Sequence, residues 1–183
     1  MKFIIEHLEP EIYKWCILEY KHISSFVGKE NLWITNVKYG EKLTGCGKIF
    51  KKSVLKMNLN KICVLDPEAS KELSSEDRDK FDYFVFGGIL GDYPPRKRTK
   101  EELKLKCERR NLAKEQMATD NAVFVVKEIL NGRKISDLKF QDGVEIDTSK
   151  SESVQLPYKY VLVNGKPLIC KELVEMLKKQ KGF

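Results

Sequence analysis

The chain is poor in the residues that build metal and nucleophile sites. It holds only two histidines, His7 and His22, and five cysteines (Cys16, Cys46, Cys63, Cys107, Cys170) that are scattered, odd in number and form no CxxC pair. With so few histidines, no Ser-His-Asp constellation and no metal cluster can be drawn. The cysteine pattern points to reduced thiols rather than a disulfide framework or a zinc site. No apolar run approaches the roughly 20 residues that span a bilayer. Phe3-Ile4-Ile5, ended by Glu6, is too short for a signal-peptide core, so a cytoplasmic location away from membranes is expected. No internal repeat or low-complexity tract is present.

What is there suits one globular domain over residues 1–183, with 42% hydrophobic and 33% charged residues. The formal net charge is +7, which favours acidic partners such as RNA or a ribonucleoprotein. Apolar runs alternate with helical periodicity. Strands are expected over Lys2–Ile5, Asn31–Val37, Lys61–Leu65, Tyr83–Phe86 and Arg109–Leu112. Helices are expected from Pro10 to Val27, closed by Gly28, over Glu68–Asp79, and from Thr99 to Cys107 with Glu102 completing a capping box. Tyr39–Phe50 reads as a glycine-bearing connection and Val54–Asn58 as a short helix. A further helix runs from Ala118 to Asn131, and Val123–Val126 is apolar on every side, so that helix is buried. Two β segments near Lys139–Ile146 and Tyr158–Val163 and a helix over Lys171–Lys181 complete the chain. The order predicts an α/β fold with a mainly parallel sheet and helices on both faces.

The most informative stretch is Phe81–Thr99, FDYFVFGGILGDYPPRKRT. The strand residues Tyr83–Phe86 stop at Gly87-Gly88, and Gly91 follows, so the backbone can approach a ligand closely. Pro94 and Pro95 then stiffen the exit. Such a turn at the carboxyl end of a strand suits a small-molecule pocket. Gly87-Gly88-Ile89-Leu90-Gly91 fits neither GxGxxG nor GxxxxGK[ST], so a Rossmann dinucleotide site and a P-loop are not supported. Glu6 and His7 end the first strand on the same rim. His7 is either a general base or a hydrogen-bonded structural residue; His22 has no evident partner. Glu19 falls within the apolar stripe of the first helix (Ile12, Trp15, Cys16, Ile23, Phe26, Val27). A carboxylate there is costly unless paired or protonated. It is an internal ion-pair member, a residue on a helix edge turned to solvent, or a carboxylate awaiting a cationic substrate.

These residues, in order, resemble the SPOUT superfamily of S-adenosylmethionine-dependent methyltransferases. The resemblance is closest to the archaeal and eukaryotic branch whose yeast member methylates an arginine of a small-subunit ribosomal protein. It rests on MKFIIEHLEP, WCILEY, VLDP, KFDYFVFGGILGDYPPRKRT, QMATDNA and LPYKYVL. It implies a C-terminal deep trefoil knot and a bent cofactor held by Phe86, Gly87, Gly88, Ile89, Leu90, Gly91 and Asp92. A second loop would hold it through Asn111, Leu112, Gln116, Met117 and Thr119. Because the sulfonium is already activated, the enzyme's main work is alignment. If arginine is the acceptor, carboxylates suit its forked guanidinium, and Glu19, Glu6 and Asp92 are the candidates beside His7. Arg96 and Arg98 are candidate substrate contacts. RNA methylation is the alternative, with Arg96, Lys97, Arg98, Arg109 and Arg110 holding phosphates; a third reading is a ribosome-associated module that binds cofactor without turnover. The segment from about 139 to 183 is expected to cover the knot face and keep the chain a monomer, a knot-face homodimer being the alternative.

Overall fold

The computed structural model describes residues 1–88, 103–113, 116–148 and 152–179. Six short runs form one sheet: β1 (Lys2–Glu6), β2 (Leu32–Thr35), β3 (Lys48–Ile49), β4 (Ile62–Leu65), β5 (Tyr83–Gly87) and β6 (Glu108–Arg110). Their order is β3-β2-β1-β5-β4-β6, and every pairing is parallel. β4, Ile-Cys-Val-Leu, is buried along its whole length, as a parallel strand covered on both faces requires. β2 and β3 lie beyond β1 on one side, while β4 and β6 lie beyond β5 on the other. The chain therefore leaves the two central strands in opposite directions, which opens a crevice at their carboxyl ends. Glu6 pairs in register with Gly87 there, and the Gly88 N–H donates to the Glu6 carbonyl at 2.9 Å.

The helices are α1 (Lys14–Val27), α2 (Asp77–Lys80), α3 (Thr119–Leu130) and α4 (Lys171–Lys179). α1 and α3 pack on one sheet face, where Tyr20, Ile23, Val123, Val126 and Ile129 join Phe3, Ile5, Ile34, Phe84 and Phe86 in one core. Gly28, at φ +85°, closes α1 with its N–H on the Ser24 carbonyl. The opposite face carries Ile4, Ile62, Val64 and Val85 and receives Val54 from a one-turn 3₁₀ helix, Val54–Lys56, with Leu59, Leu103 and Leu105.

A second sheet of antiparallel strands, β7 (Phe140–Asp147), β8 (Ser153–Val163) and β9 (Lys166–Pro167), follows. α4 buries Leu173 and Leu177 against Ile146, Leu156, Tyr160 and Ala118. The fully buried Asn121, in the first turn of α3, donates to the Leu168 carbonyl at 2.9 Å and accepts the Val161 N–H at 2.8 Å. One side chain thus stitches α3 to the C-terminal unit.

Several expected boundaries differ. α1 begins at Lys14 rather than Pro10, after bends that let the chain turn off the rim. The helix expected over Glu68–Asp79 shrinks to Asp77–Lys80. Upstream backbone is bonded elsewhere: Asp66 accepts the Glu68 N–H, Asn111 O accepts the Leu73 N–H, and Asp77 accepts the Ser74 N–H. Leu103–Cys107 is not helical; Leu103 is buried on the sheet, with Arg109 donating to its carbonyl at 2.5 Å. Thr99 to 102 lie outside the described residues. The Tyr39–Phe50 connection contains an edge strand, β3, too short for any periodicity. β8 starts five residues before Tyr158. All five cysteines are free, as expected. Among the described residues no group of His, Cys, Asp and Glu is placed to hold a metal ion, and no helix is long and apolar enough to cross a membrane. The expected knot depends on the path of residues 89–102, outside the described residues.

Candidate active site

β1 and β5 bring Glu6-His7 beside Gly87-Gly88, on one rim as the sequence suggested. The buried Glu6 is held in place: its Oε2 accepts the Thr35 hydroxyl, from the end of β2, and the Val54 N–H at 3.0 Å. It braces the rim. His7 is 3% exposed, with Nδ1 sharing a hydrogen bond with the Tyr20 hydroxyl at 2.8 Å and Nε2 buried without a partner among the described residues. Burial pushes its imidazole below the ordinary value, against the backbone of Glu11 and the charges of Glu9 and Glu6. A neutral ring with one free nitrogen can accept a proton.

Gly88 adopts φ +59°, a conformation that glycine tolerates best. A Cβ there would come within 3.5 Å of Leu8, so the bend lies against the residue that follows His7. Its carbonyl accepts the Thr119 hydroxyl at 2.7 Å. The glycine bend and the start of α3, two separate loops in the sequence, are therefore one unit.

Behind Thr119 lies a buried polar cluster. Glu19 is 4% exposed; Trp15 Nε1 donates to its Oε1 at 2.5 Å, and Oε2 has no partner among the described residues. Burial, then the charge of Asp120, push its carboxyl well above the ordinary value, against the Trp15 hydrogen bond. Its burial thus favours the protonated form, and among the described residues Glu19 is neither paired with an arginine nor turned to solvent. Asp120 accepts the His22 Nδ1–H at 2.8 Å and the Asn121 backbone and side-chain N–H groups at 2.7 and 2.8 Å. His22, which the sequence left without a partner, finds it 98 residues away. Tyr160 of β8 completes the cluster; burial, then Asp120 and Glu19, raise its phenol above the ordinary value. Asp120 and Asn121 went unread because acids and amides in a first helical turn ordinarily complement the helix dipole.

The remaining candidates divide. Leu112 is buried and Met117 half-buried beside the Gln116 carbonyl, which accepts the Lys159 N–H at 3.1 Å. Phe86 turns its ring into the core, leaving its backbone to the rim. Asn111 donates its side chain to the Ala69 carbonyl at 2.8 Å, which supports the 66–73 turn. Ile89, Leu90, Gly91, Asp92, Arg96, Lys97 and Arg98 lie outside the described residues. The arginines considered for phosphates are engaged: Arg109 with Asp66 at 2.7 Å, and Arg110 with Asp77 through Nε and Nη2, both at 3.0 Å. That correction has a plain cause, since both arginines sit on an edge strand facing acids of neighbouring turns.

A parallel sheet with a glycine bend at its switch point, tied to a buried helix, defines the methyltransferase fold that the motifs suggested. The crystal structure of dual-specific Trm10 from Thermococcus kodakaraensis shares that fold at a TM-score of 0.59, covering 74% of this chain and 95% of that one at 21% identity. The chain belongs to the family of SFM1-like protein arginine N-methyltransferases, whose model matches residues 2–182. It is 39% identical to protein arginine N-methyltransferase SFM1 of Saccharomyces cerevisiae, over 98% of this chain and 95% of that one. The crystal structure of the yeast enzyme complexed with S-adenosylmethionine superposes at a TM-score of 0.87, covering 97% of this chain and 90% of that one at 38% identity.

Proposed function

We propose that this protein is an S-adenosylmethionine-dependent methyltransferase that modifies an arginine of a ribosomal protein, as a monomer in the cytoplasm. The observation that carries the arginine reading is Glu19: a buried carboxyl whose Oε2 has no partner among the described residues, close enough to Asp120 to feel its charge. A guanidinium is the chemical partner such a pair lacks.

The rim fits the cofactor. Gly88 lets the cofactor approach the backbone with no side chain in the way, its carbonyl keeping a second lone pair beside the Thr119 hydrogen bond, and Leu112 and Met117 offer apolar contact. Phe86–Gly88, Leu112, Gln116, Met117 and Thr119 would hold it. When bound, it supplies a methyl group on a positively charged sulfur. The chain's own residues do the rest. Glu19 and Asp120 grip the guanidinium and turn one nitrogen lone pair towards the rim, which is the alignment that methyl transfer needs. The neutral His7 can take up the proton that the methylated nitrogen loses. α4 and β8 cover the apolar flank of the α3 start, which supports a monomer.

The test is incubation with tritiated cofactor and ribosomal subunits. Label lost to protease and kept after ribonuclease supports a protein acceptor; the reverse pattern makes RNA the acceptor. Cofactor binding without label in any fraction would leave a binding module.

A further inference from the structure

The chain's positive charge is not spread evenly. Residues 36–62 hold seven lysines (38, 42, 48, 51, 52, 56 and 61) against one acid, Glu41, a surplus of six out of the whole chain's seven. All seven are exposed, and none forms an ion pair among the described residues. The fold gathers Lys38, Lys48, Lys51, Lys52 and Lys56, while Lys61 stands apart just before β4. The Val37 N–H donates to the Phe50 carbonyl, and the Asn36 N–H to the Lys52 carbonyl, so the turn carrying Lys38 and Tyr39 lies against the end of β3. Val54 ties the next turn, with Lys51, Lys52 and Lys56, to Glu6.

Beside this edge lies an aromatic cluster on the sheet face opposite α1 and α3. Trp33 is 4.9 Å from Phe50 and 5.4 Å from Tyr83 between ring centroids, and Lys48 Nζ sits 5.4 and 5.2 Å from the Trp33 and Phe50 rings. All three rings are half-buried, and Tyr39 is 77% exposed. Lysine on an edge strand guards against sheet extension. That role explains Lys48 but not the lysines of the turns, nor the aromatic rings among them.

We propose that this lysine-lined edge and its aromatic face form a second binding surface, separate from the methyl-transfer rim, whose occupant is single-stranded RNA. Lysines track a phosphate backbone, and aromatic rings stack unpaired bases in any sequence. An acidic peptide would use the lysines but leave the rings without a role. Because Val54 bonds Glu6, RNA on this surface runs towards the rim, which suits a protein acceptor embedded in RNA. The proposal stands whether or not the acceptor reading holds.

The experiment is fluorescence anisotropy of the full chain with a labelled 12-nucleotide single-stranded RNA across a salt series. The parent's affinity should fall linearly in a log–log plot, with a slope of about −0.7 per phosphate contacted. Combined Lys48→Glu, Lys51→Glu and Lys52→Glu should weaken binding at least tenfold and flatten the slope, with the melting curve confirming the fold. Tyr39→Ala should weaken it several-fold with the slope unchanged. Unaltered affinity in the triple variant overturns the surface. Unaltered affinity in Tyr39→Ala, or displacement of RNA by poly-glutamate at lower concentration, overturns RNA as the occupant.

Discussion

Thr119 donates its hydroxyl to the carbonyl of Gly88 at 2.7 Å, across 31 residues of sequence. It fixes the orientation of a peptide in the glycine bend from the first residue of α3. Thr119→Val keeps the shape and removes the donor. A hydrogen bond of this kind contributes about 1 kcal/mol, so cofactor affinity should fall roughly fivefold by calorimetry. Thr119→Ser should restore it. Equal affinity in Thr119→Val would show that the bend holds its conformation unaided.

Gly88→Ala tests the backbone of the same bend. The Leu8 contact at 3.5 Å is ordinary, so the strain comes from φ alone. A cost of about 1–2 kcal/mol is expected in chemical denaturation. A larger loss would mean that the bend cannot shift towards Leu8 at all.

Glu19→Gln should raise stability while lowering turnover at least tenfold. The folded carboxyl keeps its proton well above the ordinary value of 4.5, whereas the unfolded one ionises there. Stability is therefore lost as pH rises above about 4.5, and the glutamine variant escapes that loss. At pH 7 the variant should unfold at higher denaturant than the parent; near pH 4 the two should coincide. A variant less stable at pH 7 would mean that the carboxylate is charged in the folded state.

Arg110 and Asp77 form a two-point ion pair that the Phe81 ring flanks at 5.2 Å. Burial alone would raise the Asp77 carboxyl, but hydrogen bonds from Arg110 and the Ser74 backbone hold it below the ordinary range. Its contribution is present above pH 3.8 and disappears in stronger acid. Arg110→Met leaves the buried Asp77 with only the Ser74 N–H and the more distant Lys80 ammonium at 3.7 Å, at a cost of about 3 kcal/mol at pH 7. Adding Asp77→Asn should recover part of that loss in a thermal melt.

The thiols give a further check. Burial pushes Cys16 and Cys170 up to about 11 and Cys63 up to about 12. In native protein at pH 8 a disulfide reagent should react slowly, first at the half-buried Cys107. In denaturant without reductant it should count five thiols. Fewer would reveal a disulfide.

Local chemistry made much of this architecture legible. Continuous apolar runs marked β1, β4 and β5 because parallel strands are covered on both faces, and Gly28 and Gly132 ended α1 and α3 because left-handed backbone favours glycine. The position of Glu19 in an apolar stripe left burial, a solvent-facing helix edge and a substrate role all open, and the fold decides for burial. The sequence did not reveal β3 or the fate of residues 66–76, whose backbone is held partly by the distant Arg110 and Asn111 and partly by the side chains of Asp66 and Asp77 rather than by helical bonds.

The partnerships were decided by the tertiary structure alone. His22 meets Asp120, Asn121 joins α3 to β8, and Thr119 reaches Gly88, each across a gap that no periodicity spans. Side-chain type and spacing determine which residues must be buried and where the chain must turn. Which buried polar atoms meet is settled only when strand order and helix packing bring them within 3 Å, and that depends on the whole chain at once.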